Sequence, residues 1–306
     1  MNEHGVNVTV VGSIGLDTIE TPRERRDEIL GGSASYACAA ASFFSRVGMV
    51  GIVGTDFPSA YTDLYDHFQI DRQGLQVAEG QTFRWSGVYE ANMDNRSTLS
   101  TDLNVFADFS PDIPPAYRNA PYLFLANISP DLQLHVLDQV DSPQFVLADT
   151  MDLWIEIARD ALTEVIRRVH MLTLNESEAR HYTGKHNLVQ AARELLALGP
   201  SHVLIKKGEH GSILFTDSGT FVLPAYPLDH VEDPTGAGDS FAGGLIGALA
   251  EEDEVNDGAL RRALVHGNIV ASFGVEAFSL ERFHALDRGD IDDRVNHFRK
   301  MIHVPE

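Results

Sequence analysis

The 306-residue chain is long enough to bury a sizeable core, and its 43% hydrophobic and 22% charged residues are the mix of a globular protein. A net charge of −22, with Lys185, Lys206, Lys207 and Lys300 as the only four lysines, argues against nucleic acid or an anionic membrane as a partner. Cys38 is the one cysteine, which excludes an intrachain disulfide; no apolar run reaches bilayer length, and Met1–Gly5 does not open a secretory signal, so a cytoplasmic location is expected. An acidic, lysine-poor surface fits a salt-rich interior, where such a chain gains stability in molar KCl; a merely acidic chain is indifferent to salt.

The chain begins with a β-branched run, Val6 to Val11, that reads as a buried parallel strand. The following Gly12-Ser-Ile-Gly15 is not the G-x-G-x-x-G of a dinucleotide site. Asp17 comes just past this strand, where α/β sheets bind ligands, although a turn aspartate reads equally well. Thr18 to Leu30 is polar, carries Pro22 and three arginines, and reads as an exposed excursion. Gly31-Gly32 opens a small-residue helix, Ser33 to Phe44, and Val50 to Asp56 forms a second strand. Ala60 to Phe68 is an amphipathic helix. Gln81 to Glu90 and Ser97 to Phe106 read as strands about a turn at Asp94-Asn95. With the excursion they make a small sheet projecting from the main body. Such a sheet is unstable alone and needs a partner surface, so a homodimer through it is expected. Arg84 and Arg96 on it are candidates to meet an anionic acceptor, or are simply solvated.

Ala120 to Ile128 and Gln144 to Ala148 are short parallel strands, with helices over Leu132 to Val140 and Asp152 to Val169. Asp149 and Asp152 again follow a strand end and read as a turn or as site lining. Met171 to Leu174 leads into Asn175-Glu-Ser-Glu178, the pattern of a capping box with Asn175 as N-cap. Glu178 and His181 have a metal-pair spacing, but no second pair accompanies them. Val203 to Lys207 is a strand ending at Gly208-Glu-His-Gly211, and Lys207 stands where it counters phosphate charge or merely ends the strand. A hairpin, Ser212 to Thr216 with Thr220 to Leu223, follows. The alternation of strands and helices gives an α/β fold, a mostly parallel central sheet with helices on both faces, as a single domain over 1–306 with a lid formed by about 18–30 and 81–106. Helices over Ala259 to Phe273 and Asp290 to His303 close the chain.

Between them lies Asp233-Pro-Thr-Gly-Ala-Gly-Asp-Ser-Phe241. Gly236, Ala237 and Gly238 have minimal side chains and stand where a helix begins, with free N–H groups and the positive dipole end outward. Such an end binds phosphate. Asp239 beside it repels phosphate but can accept a proton from a hydroxyl attacking phosphorus. An ordinary capped helix start has some of the same features.

The whole string closely resembles the C-terminal signature of the ribokinase (PfkB) family of carbohydrate and nucleoside kinases. The resemblance implies that Gly236, Ala237 and Gly238 form an anion hole and that Asp239 is the general base. It implies ATP and Mg²⁺ as cosubstrate and metal, with Glu178 organising Mg²⁺ through water and Asn175 near the nucleotide phosphates. Lys207, Gly208 and Gly211 would contact ATP and Asn268 the adenine, while Asp233 and Thr235 would hold a monovalent cation, K⁺. Asp17, Gly31 and Gly32 would hold the acceptor. Gly51, Gly54 and Asp56 fit a further family pattern. Ser33 replaces the usual basic residue and Tyr36 the usual asparagine, which points away from plain ribose. Tyr36, Phe83 and Trp85 either stack on a nucleoside base or simply pack. The expected partner is a small sugar or sugar-like acceptor; a nucleoside kinase and a non-catalytic binder are the alternatives.

Overall fold

In a computed structural model, residues 5–93 and 95–305 are described; Met1–His4 of the N-terminal reading and Asp94 of the expected turn lie outside them. The strands are β1 (Val8–Val11), β2 (Gly15–Glu20), β3 (Arg25–Gly31), β4 (Val47–Gly54), β5 (Asp71–Ala78), β6 (Phe83–Tyr89), β7 (Arg96–Asp102), β8 (Tyr122–Leu125), β9 (Phe145–Asp149), β10 (Met171–Asn175), β11 (His202–Lys206), β12 (Ser212–Thr216) and β13 (Gly219–Leu223). The helices are α1 (Ser33–Ser42), α2 (Ser59–His67), α3 (Pro130–Leu137), α4 (Asp152–Ile157), α5 (Arg159–Arg168), α6 (Glu176–Thr183), α7 (Leu188–Leu196), α8 (Ala237–Glu252), α9 (Asp257–Gly274), α10 (Glu281–His284) and α11 (Arg288–Met301).

Nine strands form one sheet in the order β13-β12-β11-β10-β9-β8-β1-β4-β5, parallel from β5 through to β11 and antiparallel at the β11–β12–β13 end. Its central strands are buried on both faces, which is why they read as unbroken apolar runs rather than alternating ones. One core packs α1, α8 and α9 against the sheet; two others lie under α3 and α5 and under α6 and α7. Order reverses at β1, which lies between β4 and β8. The crevice at the carboxyl ends beside that point is where an open α/β sheet takes its ligand.

Helix α1 is built of Ala and Ser and is buried from Ser33 to Ala41. Its thinness lets α8 approach at backbone distance. A Cβ on Gly243 would sit 2.3 Å from the Ala37 carbonyl oxygen, and one on Gly247 2.7 Å from Ala41. Any side chain there would force the two helices apart.

The lid is a separate four-stranded sheet, β3-β2-β6-β7. Strands β2 and β6 pair in parallel, and the outer pairs are antiparallel. Its small core is Ile19, Tyr89 and Phe278, flanked by Ile29, Trp85 and Met93. The polar excursion is thus two paired strands, and Asp17 lies within β2 rather than beyond the first strand's end. Three further expectations need correction. Strand β5 was not foreseen, because Gln73, exposed on this sheet edge, and the polar Asp71, Arg72 and Gln76 hide its apolar positions. The helix expected over Asp152 to Val169 breaks at Ala158 into α4 and α5 without a Gly or Pro to mark it. The return strand ends at Asp102 and gives way to a 3₁₀ turn at Asn104–Asp108.

Candidate active site

The carboxyl ends of β9, β10 and β11 bring together Asp149, Asn175 and Lys206. Parallel pairing sets Asn175 directly opposite Lys206. The Lys206 ammonium donates to Asp149 Oδ2 at 2.9 Å and Oδ1 at 3.1 Å, with both side chains largely buried. Burial alone would lower the ammonium's pKa, but Asp149 and Glu178 raise it above the ordinary lysine range. Gln133 fixes the strand ends below, donating from Nε2 to the carbonyls of Leu125, Ala126 and Asp149.

The capping box is formed as expected. Asn175 Oδ1 accepts from the Glu178 amide at 2.8 Å, and Glu178 Oε2 accepts from the Asn175 amide at 2.7 Å. That bond holds Glu178 buried at the site, where desolvation first and the Asp149 charge next push its carboxyl up to about 7 against the pull of Lys206.

Helix α8 starts over Lys206. Gly236 is its N-cap in the left-handed region at φ 73°, and a Cβ on Gly238 would lie 3.1 Å from Lys206 Nζ. The Ala237 amide reaches the Pro234 carbonyl at 3.2 Å; those of Gly236 and Gly238 have no acceptor among the described residues. The Lys206 ammonium therefore stands beside a helix start where two amides lack an acceptor, a set of donors suited to phosphate oxygens. Asp239 follows in the first turn, its carboxyl pushed up to about 7 by burial and by Asp149, with Lys206 and Arg96 opposing.

The residues expected to hold the acceptor converge on the other side of the same loop. Asp17 is 4% exposed, and its carboxylate lies so tightly on Gly31 that a Cβ there would sit 1.9 Å from Oδ2. Only glycine fits position 31. Asp17 Oδ1 and the Tyr36 hydroxyl are buried without a hydrogen-bond partner. Gly32 caps α1 at φ 91°, and the Tyr36 ring lies flush against Gly236, where a Cβ would come within 2.4 Å. Burial, Asp233 and Asp239 push Asp17 up to about 8, against Arg96. The orphaned polar atoms of Asp17 and Tyr36 suit a polyhydroxylated ligand that supplies their missing partners. Asp233 is 1% exposed, with Oδ1 accepting from the Thr235 amide at 2.9 Å and Oδ2 unpartnered.

The residues expected to contact the nucleotide lie further along. Gly208 and Gly211 bracket a 3₁₀ turn closed by the Lys207 amide on the Gly211 carbonyl at 2.7 Å. Gly211 is pressed onto the Leu223 carbonyl at φ 87°. Lys207 has left β11, so its side chain does not share the place of Lys206. Asn268, on α9, is buried and donates to the Pro224 carbonyl at 3.3 Å. Of the lid arginines, Arg84 is committed to Glu28 and Asp56 at 2.9 Å each, whereas Arg96 lies over Trp85 and acts on Asp17 and Asp239.

Lys206 is the main residue that the sequence alone did not single out. The three buried residues before it, Val203, Leu204 and Ile205, show no alternation from which its facing could be read. The oxygen-rich set Asp149, Glu178 and Asp239 suits a hard divalent ion. Among the described residues no three acidic, histidine or cysteine side chains converge to ligate one together.

The profile of the pfkB family carbohydrate kinases matches residues 7–281. A cytidine kinase from Thermococcus kodakarensis is 31% identical over 248 residues, 79% of this chain and 87% of that protein. The ribokinase of Giardia lamblia superposes with a TM-score of 0.80 at 17% identity, covering 96% of this chain and 99% of that one. An Escherichia coli protein solved in complex with ATP and Mg²⁺ superposes at 0.77 and 17% identity, covering 95% and 99%. The chain belongs to the pfkB family of carbohydrate kinases and is a phosphotransferase acting on an alcohol group of a sugar or nucleoside.

Proposed function

We propose that this kinase transfers the γ-phosphoryl group of Mg·ATP in line to a hydroxyl of a small sugar or sugar-like acceptor. Asp17, Gly31, Gly32 and Tyr36 orient the acceptor. Asp239 takes the hydroxyl proton as the oxygen–phosphorus bond forms and ADP leaves. The Gly236 and Gly238 amides and Lys206 stabilise the charge on the moving group. The family's anion hole also includes Ala237, whose amide would have to release Pro234 to join it. Asn175, Lys207, Gly208, Gly211 and Asn268 bind ATP. Mg²⁺, organised by Glu178 through water, would neutralise phosphate charge when bound. The buried, unpartnered Oδ2 of Asp233 beside Thr235 supports a K⁺ site. One observation carries the reading: Asp239 lies in the first turn of α8 next to Gly238, which packs on Lys206, and within electrostatic reach of Asp17.

A nucleoside acceptor is the second reading. The 31% identity to a protein named cytidine kinase favours it, and Trp85 under the lid offers a stacking face. The fully exposed β7 supports a homodimer through the lid.

The test is ADP release from Mg·ATP against a panel of sugars, sugar phosphates and nucleosides. Asp239→Asn should lower turnover by about 10³-fold or more, the scale of a lost general base and preorganised site, with ATP affinity unchanged. Wild-type turnover in that variant would overturn the assignment. The same assay in KCl and in tetramethylammonium chloride reads the cation, and equal rates would remove the K⁺ site.

A further inference from the structure

One polar link joins the lid to the phosphate loop. The Tyr89 ring is at the end of β6, 6% exposed, in the lid core with Ile19 and Phe278. Its hydroxyl leaves that core and meets Thr235 Oγ1 at 3.0 Å, inside the turn that leads into α8. The Arg96 guanidinium of β7 acts on the same hydroxyl, opposing the upward push of burial on its pKa. The Thr235 amide in turn holds Asp233 Oδ1 at 2.9 Å. Either hydroxyl can donate in the Tyr89–Thr235 bond, and the Thr235 amide is a separate donor to Asp233. Packing alone explains the Tyr89 ring. It does not explain a hydroxyl aimed at the one turn whose amides face phosphate, because phenylalanine would fill the same lid core.

We infer that Tyr89 is a positioning residue that couples the lid to the phosphate site: its hydroxyl, bound to Thr235, sets the Pro234–Gly236 turn from which the Gly236 and Gly238 amides project. The bond is already made without an acceptor, so the lid holds the turn in place before the acceptor arrives. This inference rests on the reading of those amides as the anion hole.

Tyr89→Phe in the full chain keeps the ring and removes the hydroxyl. The probe is Mg·ADP with fluoroaluminate, which mimics the phosphoryl group in transfer and needs no acceptor. The gain in ADP affinity that fluoroaluminate gives the wild type should fall on the order of tenfold in Tyr89→Phe, while Mg·ADP affinity alone and the melting temperature stay unchanged. With cytidine or ribose, whichever supports ADP release, kcat should fall by a similar factor and KM for ATP should not move. Thr235→Val should give the same loss, and the double variant no more than either single one. If Tyr89→Phe keeps the full fluoroaluminate gain, or if the two losses multiply, the coupling through Thr235 is wrong although the anion hole stands. If the wild type shows no fluoroaluminate gain, the anion-hole reading fails and this inference falls with it.

Discussion

Asp17, Glu178 and Asp239 hold protons that exposed carboxylates lose by pH 5, chiefly because each is buried and faces others of its kind. The sign of the effect follows from proton counting. Each pKa is raised on folding, so between about pH 4 and pH 8 the folded chain binds more protons than the unfolded one, and stability falls as pH rises across that window. Asp17→Asn should therefore raise the melting temperature of the ligand-free protein by several degrees at pH 8 and hardly at all at pH 4, by scanning calorimetry; an equal shift at both would refute the charge argument. Activity runs the other way. As the proposed general base, Asp239 must be ionised to accept a proton, so kcat/KM should rise tenfold per pH unit below about 7 and level above it. Lys206→Met should cost about 3 kcal/mol in urea unfolding, because it strands Asp149 as a buried charge, and replacing Asp149 by Leu in the same chain should restore most of it. The contrast with Asn175 and Glu178 shows what was legible at this scale. A capping box is written within four residues and was read correctly. The facing of Lys206 depends on which strand lies beside β11, and no local pattern carries that.

Elements were legible where burial is one-sided or complete. Strands β1, β8 and β9 and the hairpin β12–β13 stand close to where their apolar runs placed them. Strand β5 was lost because an edge strand mixes exposed polar residues with few buried ones, and the break at Ala158 is set by packing of α4 beside α6, not by a breaker residue. The lid was foreseen as a sheet, but its two excursions could not be paired from sequence, since β2 and β6 join in parallel across the whole β3–β5 segment. Its outer strand β7 is exposed along its length, with Leu99 61% exposed. A free strand edge, here polar apart from Leu99, is a pairing surface. Light scattering should give a dimer at micromolar concentration and a monomer for Leu99→Glu; a wild-type monomer would remove the lid-mediated dimer.

At the scale of the molecule, charge dominates. A net −22 repels itself, and surface ion pairs such as Arg72–Asp66 and Arg262–Glu252 return little of that cost. Screening by salt should raise the melting temperature steadily from dilute buffer to 2 M KCl, and a flat response would mean that the acidic surface is neutral to stability. No described helix is long and apolar enough to cross a membrane. The backbone contact between α1 and α8 has a consequence for the whole machine. One helix starts at Gly32, proposed to hold the acceptor, and the other at Gly236, proposed to face the phosphate, and they touch through Ala37 and Gly243 with no compressible side chain between. On those proposed roles the pair acts as a fixed gauge for the gap between attacking oxygen and phosphorus. Lid residues can then change freely to admit new acceptors, because the stroke length is set elsewhere, by atoms that no acceptor touches.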